Sequence, residues 1–116
     1  MPYFVETFDK PNHQQVRLDN RPAHLAFLEE HKDLLLACGA KLADDEDTAS
    51  GGVYLLDVET RAEAEDFIAR DPFTRAGLFA AVEVTRWRKA YLAGQGYLQP
   101  PAPGRDSPGQ ARRSGD

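Results

Sequence analysis

The chain has 116 residues, of which 41% are apolar and 28% are charged, and this balance is typical of one globular domain. The net charge of -5 argues against a general nucleic-acid binder, which needs a basic surface, and no apolar run approaches the roughly 20 residues that cross a membrane. Cys38 is the single cysteine, which excludes an intrachain disulfide, and the N-terminal residues lack the pattern of a secretory signal, so we expect a cytoplasmic protein.

The first third of the chain predicts a strand followed by a long helix. Residues 2–8 (PYFVETF) are rich in aromatic and branched side chains, as strands are. Residues 20–38 predict the helix, because Pro22 suits a first helical turn and Gly39 suits the position just past a helix end. Its buried side is predicted from leucines at helical spacing, Leu25, Leu28 and Leu35.

The middle of the chain predicts two strands and a second helix. Residues 40–43 and 53–58 (VYLLDV) are the predicted second and third strands, and the acidic loop 44–52 (DDEDTASGG) separates them. The sequence TRAE at 60–63 has the spacing of a capping box, which predicts a second helix through about residue 70. The side chains predicted to face inward are Ala64, Phe67 and Ile68.

The last predicted elements complete a known order. Asp71 followed by Pro72 ends the second helix, because a residue before proline avoids the helical region. A helical turn at 72–77 leads to a final strand at 79–87. The order β-α-β-β-α-β predicts a ferredoxin-like α+β sandwich, in which both helices pack on one face of an antiparallel sheet.

The opposite face of the predicted sheet is also apolar. In the third strand Val53 and Leu55 point to one side, while Tyr54 and Leu56 point to the other. A sheet with one solvated face alternates between apolar and polar residues, and this strand does not. We therefore predict that a second copy covers the outer face, which gives an isologous homodimer.

The C-terminal residues 100–116 contain four prolines, three glycines and no aromatic or branched aliphatic side chain. Such a segment buries too little apolar surface to offset its ordering entropy, so it predicts a disordered tail. The folded domain is accordingly predicted to span residues 1–99.

His24 and Arg21 are candidates for chemistry because they lie one turn apart near the predicted start of the first helix. Unpaired amides and the helix dipole favour an anion there, and His24 could move a proton on it. A histidine that merely packs at a helix start is the alternative. His24 and His31 are about 10 Å apart along a helix, too far to share one metal, so we expect neither a metal nor a cofactor.

Asp71 also has two interpretations. Asp before Pro is the ordinary beginning of a helix, with the aspartate as its cap. An aspartate can equally orient a catalytic histidine. Sequence spacing does not show whether Asp71 and His24 meet, so both interpretations stay open at this point.

Two blocks, Arg21-Pro22-Ala23-His24-Leu25 and Asp71-Pro72-Phe73 with Ala76-Gly77-Leu78-Phe79 after it, resemble the YciI-like family. The resemblance covers about residues 2–91. It implies a dimeric α/β barrel, formed through the sheets, and a cleft in which His24 faces Asp71 as a His–Asp dyad. It further implies that Arg21 and Phe73 bind substrate. The chain departs from the family at Gly39-Ala40, where many relatives have Gly-Pro, and at residues 44–50.

These observations predict a cofactor-independent enzyme that acts on a small anionic or aromatic-derived metabolite by elimination, isomerisation or hydrolysis. His24 would be its general acid or base, Asp71 would fix the tautomer of His24 and stabilise its protonated form, and Arg21 would bind a carboxylate or phenolate. Two alternatives are a non-catalytic dimer that binds a small ligand and a protein-interaction module that uses the acidic loop and the tail. The expected partners are a second copy and a small molecule, without nucleic acid or membrane.

Overall fold

A computed structural model describes residues 2–98 and contains one four-stranded antiparallel sheet. The strands follow one another across the sheet in the order β2-β3-β1-β4. Their bounds are β1 Tyr3–Asp9, β2 Leu35–Leu42, β3 Ala49–Leu56 and β4 Phe79–Arg86. The predicted α+β sandwich with β-α-β-β-α-β order is confirmed. The predicted tail, residues 100–116, lies outside the described residues.

Three helices accompany the sheet: α1 (Gln14–Glu30), α2 (Arg61–Arg70) and the short α3 (Pro72–Arg75). The predicted capping box of α2 is present, with the Glu63 amide donating to Thr60 Oγ1 at 3.1 Å and the Thr60 amide donating to Glu63 Oε1 at 3.0 Å. The side chains predicted to face inward from α2 are buried, namely Ala64, Phe67 and Ile68.

The core lies between the helices and one face of the sheet. Tyr3 and Val5 of β1 stand beside Leu56 and Tyr54 of β3 in the register of the sheet, and all four are buried. Phe27 of α1 and Phe67 of α2 pack over them, with 5.0 Å between the two ring centroids. This packing fixes α1 and α2 on the same face of the sheet, as predicted. No helix of residues 2–98 is long and apolar enough to cross a bilayer.

The predicted bounds of the first helix are wrong. α1 begins at Gln14 and ends at Glu30, and Pro22 lies inside it, where it removes one backbone donor without ending the helix. A 3-10 turn at Lys32–Leu34 follows, and residues 35–39 are part of β2. The cause is the run LLLACGA, since a short apolar run fits a buried helix and a strand equally well.

The second half of the chain differs from the predictions in smaller ways. β3 begins at Ala49, so the glycine pair predicted to close the acidic loop lies within the strand. A Cβ at Gly51 would collide with the Thr7 carbonyl, which explains the glycine there. A hairpin of β5 (Tyr91–Leu92) and β6 (Gln95–Gly96) was not predicted.

The outer face of the sheet, which the helices leave uncovered, carries apolar side chains along its two central strands, as predicted, and also the charged side chains of Glu6, Lys41 and Glu83. Its apolar side chains are Phe4 and Phe8 of β1 and Val53 and Leu55 of β3. Among them, Lys41 Nζ donates to Glu6 Oε2 at 3.2 Å and lies 3.6 Å from the centroid of the Phe8 ring.

Candidate functional site

A cavity of about 260 Å³ opens between α1 and strands β2 and β3. Its wall combines charged and aromatic side chains from both layers of the fold with small residues of the sheet. The lining includes Arg17, Arg21, His24, Cys38, Gly52, Tyr54 and Phe73.

His24 and Asp71, 47 residues apart in sequence, meet at this wall. His24 Nδ1 lies 2.9 Å from Asp71 Oδ1 and 3.0 Å from Asp71 Oδ2. Asp71 is fully buried and His24 is 9% exposed. Because an ionised carboxylate only accepts hydrogen bonds, Nδ1 is the donor, which leaves Nε2 of the imidazole for a ligand in the cavity.

Asp71 also begins α3, so both sequence interpretations describe the same carboxylate. The Phe73 amide donates to Asp71 Oδ1 at 2.8 Å, as in an N-cap with Pro72 in the first turn. The Tyr54 hydroxyl donates to Asp71 Oδ2, also at 2.8 Å. With His24, three donors from three elements hold the carboxylate in one orientation.

The surroundings of Asp71 change the acidity of its neighbours. Burial raises the pKa of the Tyr54 hydroxyl far above its ordinary value, and the charge of Asp71 together with the hydrogen bond to it raises it further. Loss of surrounding water, with a smaller contribution from Asp71, raises the pKa of the Cys38 thiol from 9.0 to about 11. At neutral pH both groups are therefore uncharged donors in the cavity wall.

Phe73 supports the imidazole. Its ring stacks on that of His24, with the centroids 4.0 Å apart and the planes at 16°, and the guanidinium of Arg17 lies 4.7 Å from the Phe73 centroid. Phe73 is only 1% exposed. The implied role of Phe73 as a substrate contact stays a prediction; the contact that is present orients His24.

The two arginines of α1 differ in how their charge is balanced. Arg17 donates to Asp9 through Nε at 2.7 Å and Nη2 at 3.0 Å. Arg21 is exposed at the cavity, and within residues 2–98 it has no ion pair. Since α1 starts at Gln14, Arg21 and His24 lie in the middle of the helix, and the predicted placement of both residues in its first turn is wrong.

Sequence reasoning missed Arg17 and Tyr54. Arg17 lies seven residues before His24 on α1, so the shared face becomes visible only with the correct helix start. Tyr54 reaches Asp71 from β3, a contact for which the sequence carries no signal.

The floor of the cavity is backbone and small side chains. A Cβ at Gly52 would lie 3.3 Å from the Gly39 carbonyl oxygen, so a larger residue there would crowd the floor. Within the described part of the chain, no three His, Cys, Asp or Glu side chains are grouped as a metal would require.

The sequence matches a family model described as the YCII-related domain over residues 1–88. The chain belongs to that family. An uncharacterised protein of Haemophilus influenzae is 32% identical over 98 residues, which covers 78% of this chain and 100% of the relative. Protein YciI of Escherichia coli is 30% identical over the same shares of the two chains. The YciI-like resemblance is therefore confirmed.

One of the similar solved structures carries a named enzymatic activity. It is 5-chloro-2-hydroxyhydroquinone dehydrochlorinase (TftG) from Burkholderia phenoliruptrix, in complex with 2,5-dihydroxybenzoquinone. It aligns with a TM-score of 0.72 and 37% identity, and the match covers 76% of this chain and 94% of that chain. The ferredoxin-like fold of the dimeric α/β barrel type is thereby confirmed for this member of the YCII-related family.

Proposed function

We propose that this protein is a cofactor-independent enzyme in which His24 transfers a proton on a small anionic ring substrate. The observation that carries the proposal is the contact of His24 Nδ1 with the buried carboxylate of Asp71 at the cavity wall. A carboxylate in this position fixes the tautomer that offers Nε2 as a base and stabilises the imidazolium formed after proton transfer. Phe73 holds the ring by stacking.

The charges at the cavity favour a substrate with an anionic oxygen. Asp9 already balances Arg17, whereas Arg21 stands at the opening without an ion pair in residues 2–98. A carboxylate or phenolate oxygen bound to Arg21 would place the attached ring beside His24. Arg17 then acts as a positioning residue, because its guanidinium lies against Phe73, which holds the imidazole.

The size of the cavity favours one substituted six-membered ring. A cavity of about 150 Å³ can hold benzene, so about 260 Å³ leaves room for ring substituents and little for a second ring. The activity named for TftG, at 37% identity, supports substrates of the halogenated hydroxyhydroquinone class. We therefore propose elimination of HX from a keto tautomer of the ring, in which the carbon that carries the halogen is sp3. Nε2 takes the proton of a ring hydroxyl conjugated with that carbon, the O–H electron pair becomes the C=O π bond, the ring double bond shifts to the carbon that carries X, and X departs as an anion with the C–X electron pair.

The test is a screen with 5-chloro-2-hydroxyhydroquinone and related halogenated dihydroxybenzenes, followed by halide release and product analysis. We expect the wild-type protein to release halide and His24→Gln to lose at least about 100-fold of kcat, the usual contribution of a positioned base. His31→Gln is the matched control, since His31 bonds the Phe27 carbonyl and is not part of the cavity wall. Full activity in His24→Gln would overturn the proposal. Ligand binding without turnover would favour the alternative of a non-catalytic ligand-binding protein.

We further propose a cytoplasmic homodimer formed through the outer face of the sheet. Phe4, Phe8 and Val53, all partly exposed, form the apolar surface that a second copy would cover. In a domain of about a hundred residues, covering this surface contributes appreciably to stability.

A further inference from the structure

The wall of the cavity changes from charged to apolar along α1. Arg21, His24 and Leu28 follow one another on one face of the helix, each one turn after the last, and all three line the cavity. Leu25, one turn after Arg21, also belongs to the lining. Seven residues at a rise of about 1.5 Å separate Arg21 from Leu28 by roughly 10 Å along the axis. His24 therefore lies between a cationic end and an apolar end.

The strands beside α1 share this direction. The side-chain amide of Gln14 donates to the Ala49 carbonyl at 3.0 Å, which holds the start of α1 next to the pairing of Leu42 with Ala49. The end of α1 is joined by the 3-10 turn to the start of β2 at Leu35. The helix and β2 therefore run in opposite directions, and the apolar end of the cavity lies at the beginning of β2.

Cys38 is the cavity residue of β2 at this apolar end. It pairs with Tyr54 in the register of the sheet, so its side chain lies on the helix side, as the side chain of Tyr54 does. Two residues later Ala40 pairs with Gly52, towards the cationic end. Loss of surrounding water raises the pKa of the Cys38 thiol to about 11, so at neutral pH the group is an uncharged S–H donor.

The two ends of the cavity suit the two ends of a halogenated phenol. An anionic oxygen gains a charge-assisted hydrogen bond from Arg21, whereas a carbon-bound halogen is apolar and gains from contact with Leu25 and Leu28. When the C–X bond breaks, the halide becomes charged and needs a hydrogen-bond donor in these surroundings. The thiol of Cys38 can supply that hydrogen bond. Leu25 is 43% exposed, so this end opens to solvent and lets the halide leave.

The order of the residues on α1 matches one substitution pattern of the ring. In the proposed elimination, one C=C bond separates the carbon of the hydroxyl that loses its proton from the carbon that carries X, so the two carbons are meta to each other. With that hydroxyl at His24 and the halogen at Leu28, the next ring carbon towards Arg21 is para to the halogen. The pattern is therefore hydroxyls on carbons 1 and 2 and the halogen on carbon 5.

We propose that Leu25, Leu28 and Cys38 form the leaving-group subsite of the cavity and select rings whose halogen is para to the oxygen held by Arg21. This inference rests on the elimination proposed above and adds the orientation of the ring. At this subsite the C–X bond breaks, the halide takes both electrons, and it accepts a hydrogen bond from Sγ–H. The proton of the thiol stays on sulfur.

Binding of unreactive probes tests the subsite without turnover. Benzoate and 4-chlorobenzoate share an anionic group, and the chlorine of the second is para to it. We expect the wild type to bind 4-chlorobenzoate about fourfold more tightly than benzoate in an NMR titration, the gain from burying one group of methylene size. For 3-chlorobenzoate we expect no gain over benzoate. Leu25→Asn should abolish the fourfold ratio, and Leu18→Asn, at a 58% exposed position of the same helix, is the matched control that keeps it.

Halide release from 5-chloro-2-hydroxyhydroquinone, which has the pattern described above, tests the thiol. Cys38→Ala should lower kcat about tenfold with little change in KM, because the hydrogen bond forms only as the halide becomes charged. Cys38→Ser keeps a donor and should restore most of kcat. Circular dichroism verifies that each variant folds.

The outcomes separate this inference from the proposed function. A wild type that binds 4-chlorobenzoate no more tightly than benzoate or 3-chlorobenzoate overturns the subsite, and so does a Leu25→Asn protein that keeps the ratio. A Cys38→Ala protein with the wild-type kcat overturns the role of the thiol. The binding preference without any halide release overturns the proposed elimination, whereas the preferred orientation of the ring stands. A protein that binds neither benzoate overturns both ends of the arrangement.

Discussion

Asp71 accepts hydrogen bonds from a side chain of α1, a side chain of β3 and a backbone amide of α3, all on one buried carboxylate. A fully buried charge is tolerated when it is hydrogen-bonded in this way. The same three donors fix the direction in which the carboxylate faces His24. At this residue, the requirements of folding and of the proposed chemistry therefore coincide.

Asp71→Asn separates the charge of this residue from its capping role. An asparagine still accepts the Phe73 amide, so we expect the fold to persist, but it no longer stabilises a protonated His24. We expect kcat to fall on the order of 10³–10⁴-fold. Asp57→Asn, at an exposed position, is the control. A kcat equal to that of the wild type would refute the coupling.

Tyr54→Phe tests the donor on the other side of Asp71. The substitution removes a buried hydrogen bond to a charged group, which contributes about 1.5–3 kcal/mol. We expect the free energy of unfolding in urea at pH 7 to fall by about that amount. Tyr91→Phe, at a side chain that is 65% exposed, should leave it unchanged. Equal stability of the two variants would mean that the Tyr54 hydroxyl contributes nothing through Asp71.

Cys38 offers a measurement of the cavity environment. The folded protein raises the pKa of its thiol from 9.0 to about 11, so the fraction of reactive thiolate at pH 8 is lower than in an unfolded chain. We expect iodoacetamide to modify Cys38 slowly at pH 8, with a rate that rises steeply up to about pH 11. Because folding favours the thiol, its contribution to stability is complete below pH 9 and is lost as the pH rises to about 11. Alkylation with a midpoint near pH 9 in the folded protein would contradict this.

Among the elements, α2 is the one whose start the sequence determines locally. Thr60 and Glu63 cap each other through backbone amides. The bond from the Glu59 amide to the Glu63 carboxylate, followed by those from the Thr60 hydroxyl and amide, lowers the pKa of the Glu63 carboxyl. A lowered pKa in the folded state means that the stabilisation is present above the ordinary pKa of 4.5 and is lost as the pH falls below it.

Thr60→Ala should lower the free energy of unfolding by about 1 kcal/mol at pH 7, the usual cost of losing a cap. Thr60→Ser, which keeps the hydroxyl, is the matched control and should stay close to the wild type. For the partner residue, the difference between wild type and Glu63→Gln should shrink as the pH falls below 4. A difference that is constant from pH 7 to pH 3 would exclude the ionised Glu63 from the cap.

The contrast between α2 and α1 explains how much of the fold the sequence predicts. The start of α2 depends on four neighbouring residues, so local chemistry was sufficient. In α1, the sequence predicts a start near Pro22, but the helix continues through this residue. Arg17 before the proline and His24 after it both contact the ring of Phe73, and this packing stabilises the helix on both sides of Pro22. The start of β2 depends on pairing with β3, which no local pattern records.

At the level of the whole molecule, the two-sided apolar pattern of the sheet supports a prediction about assembly. Val53 stands at the centre of the outer face, between Glu6 and Gly39 in the register of the sheet. Val53→Lys should leave the monomer folded, because Val53 is only partly buried and a lysine side chain can reach solvent from the uncovered face. In a face-to-face dimer the ammonium is enclosed, and Glu6 beside it is already paired with Lys41, so one excess positive charge is buried in each copy. We therefore expect the dissociation constant to rise at least about 100-fold.

Sedimentation velocity measures this change. The control is Leu18→Lys on α1, where the side chain is 58% exposed and far from the outer face. A Val53→Lys protein that stays as dimeric as the control would place the contact between copies on another surface.

The candidate site also shows what single-sequence reasoning can reach. The family motifs brought His24, Asp71, Arg21 and Phe73 to attention, and the structure places all four at or beside one cavity. The sequence does not identify Arg17 and Tyr54 as site residues, because their contacts with Phe73 and Asp71 depend on the tertiary structure. Asp71 both caps α3 and contacts His24, and only the structure shows that one carboxylate makes both contacts.

The bond from the Phe73 amide to Asp71 gives the cavity a built-in spectroscopic reporter. That amide proton shares its acceptor with His24, so its chemical shift and its exchange with deuterated water respond to whatever happens at the imidazole. We expect a ligand that protonates His24 to draw the carboxylate toward the ring and to weaken the bond from this amide, whereas a ligand that only fills the cavity should slow its exchange. The NMR signal of the Phe73 amide thus distinguishes a ligand that protonates His24 from one that only occupies the cavity, and the ligand needs no isotope label.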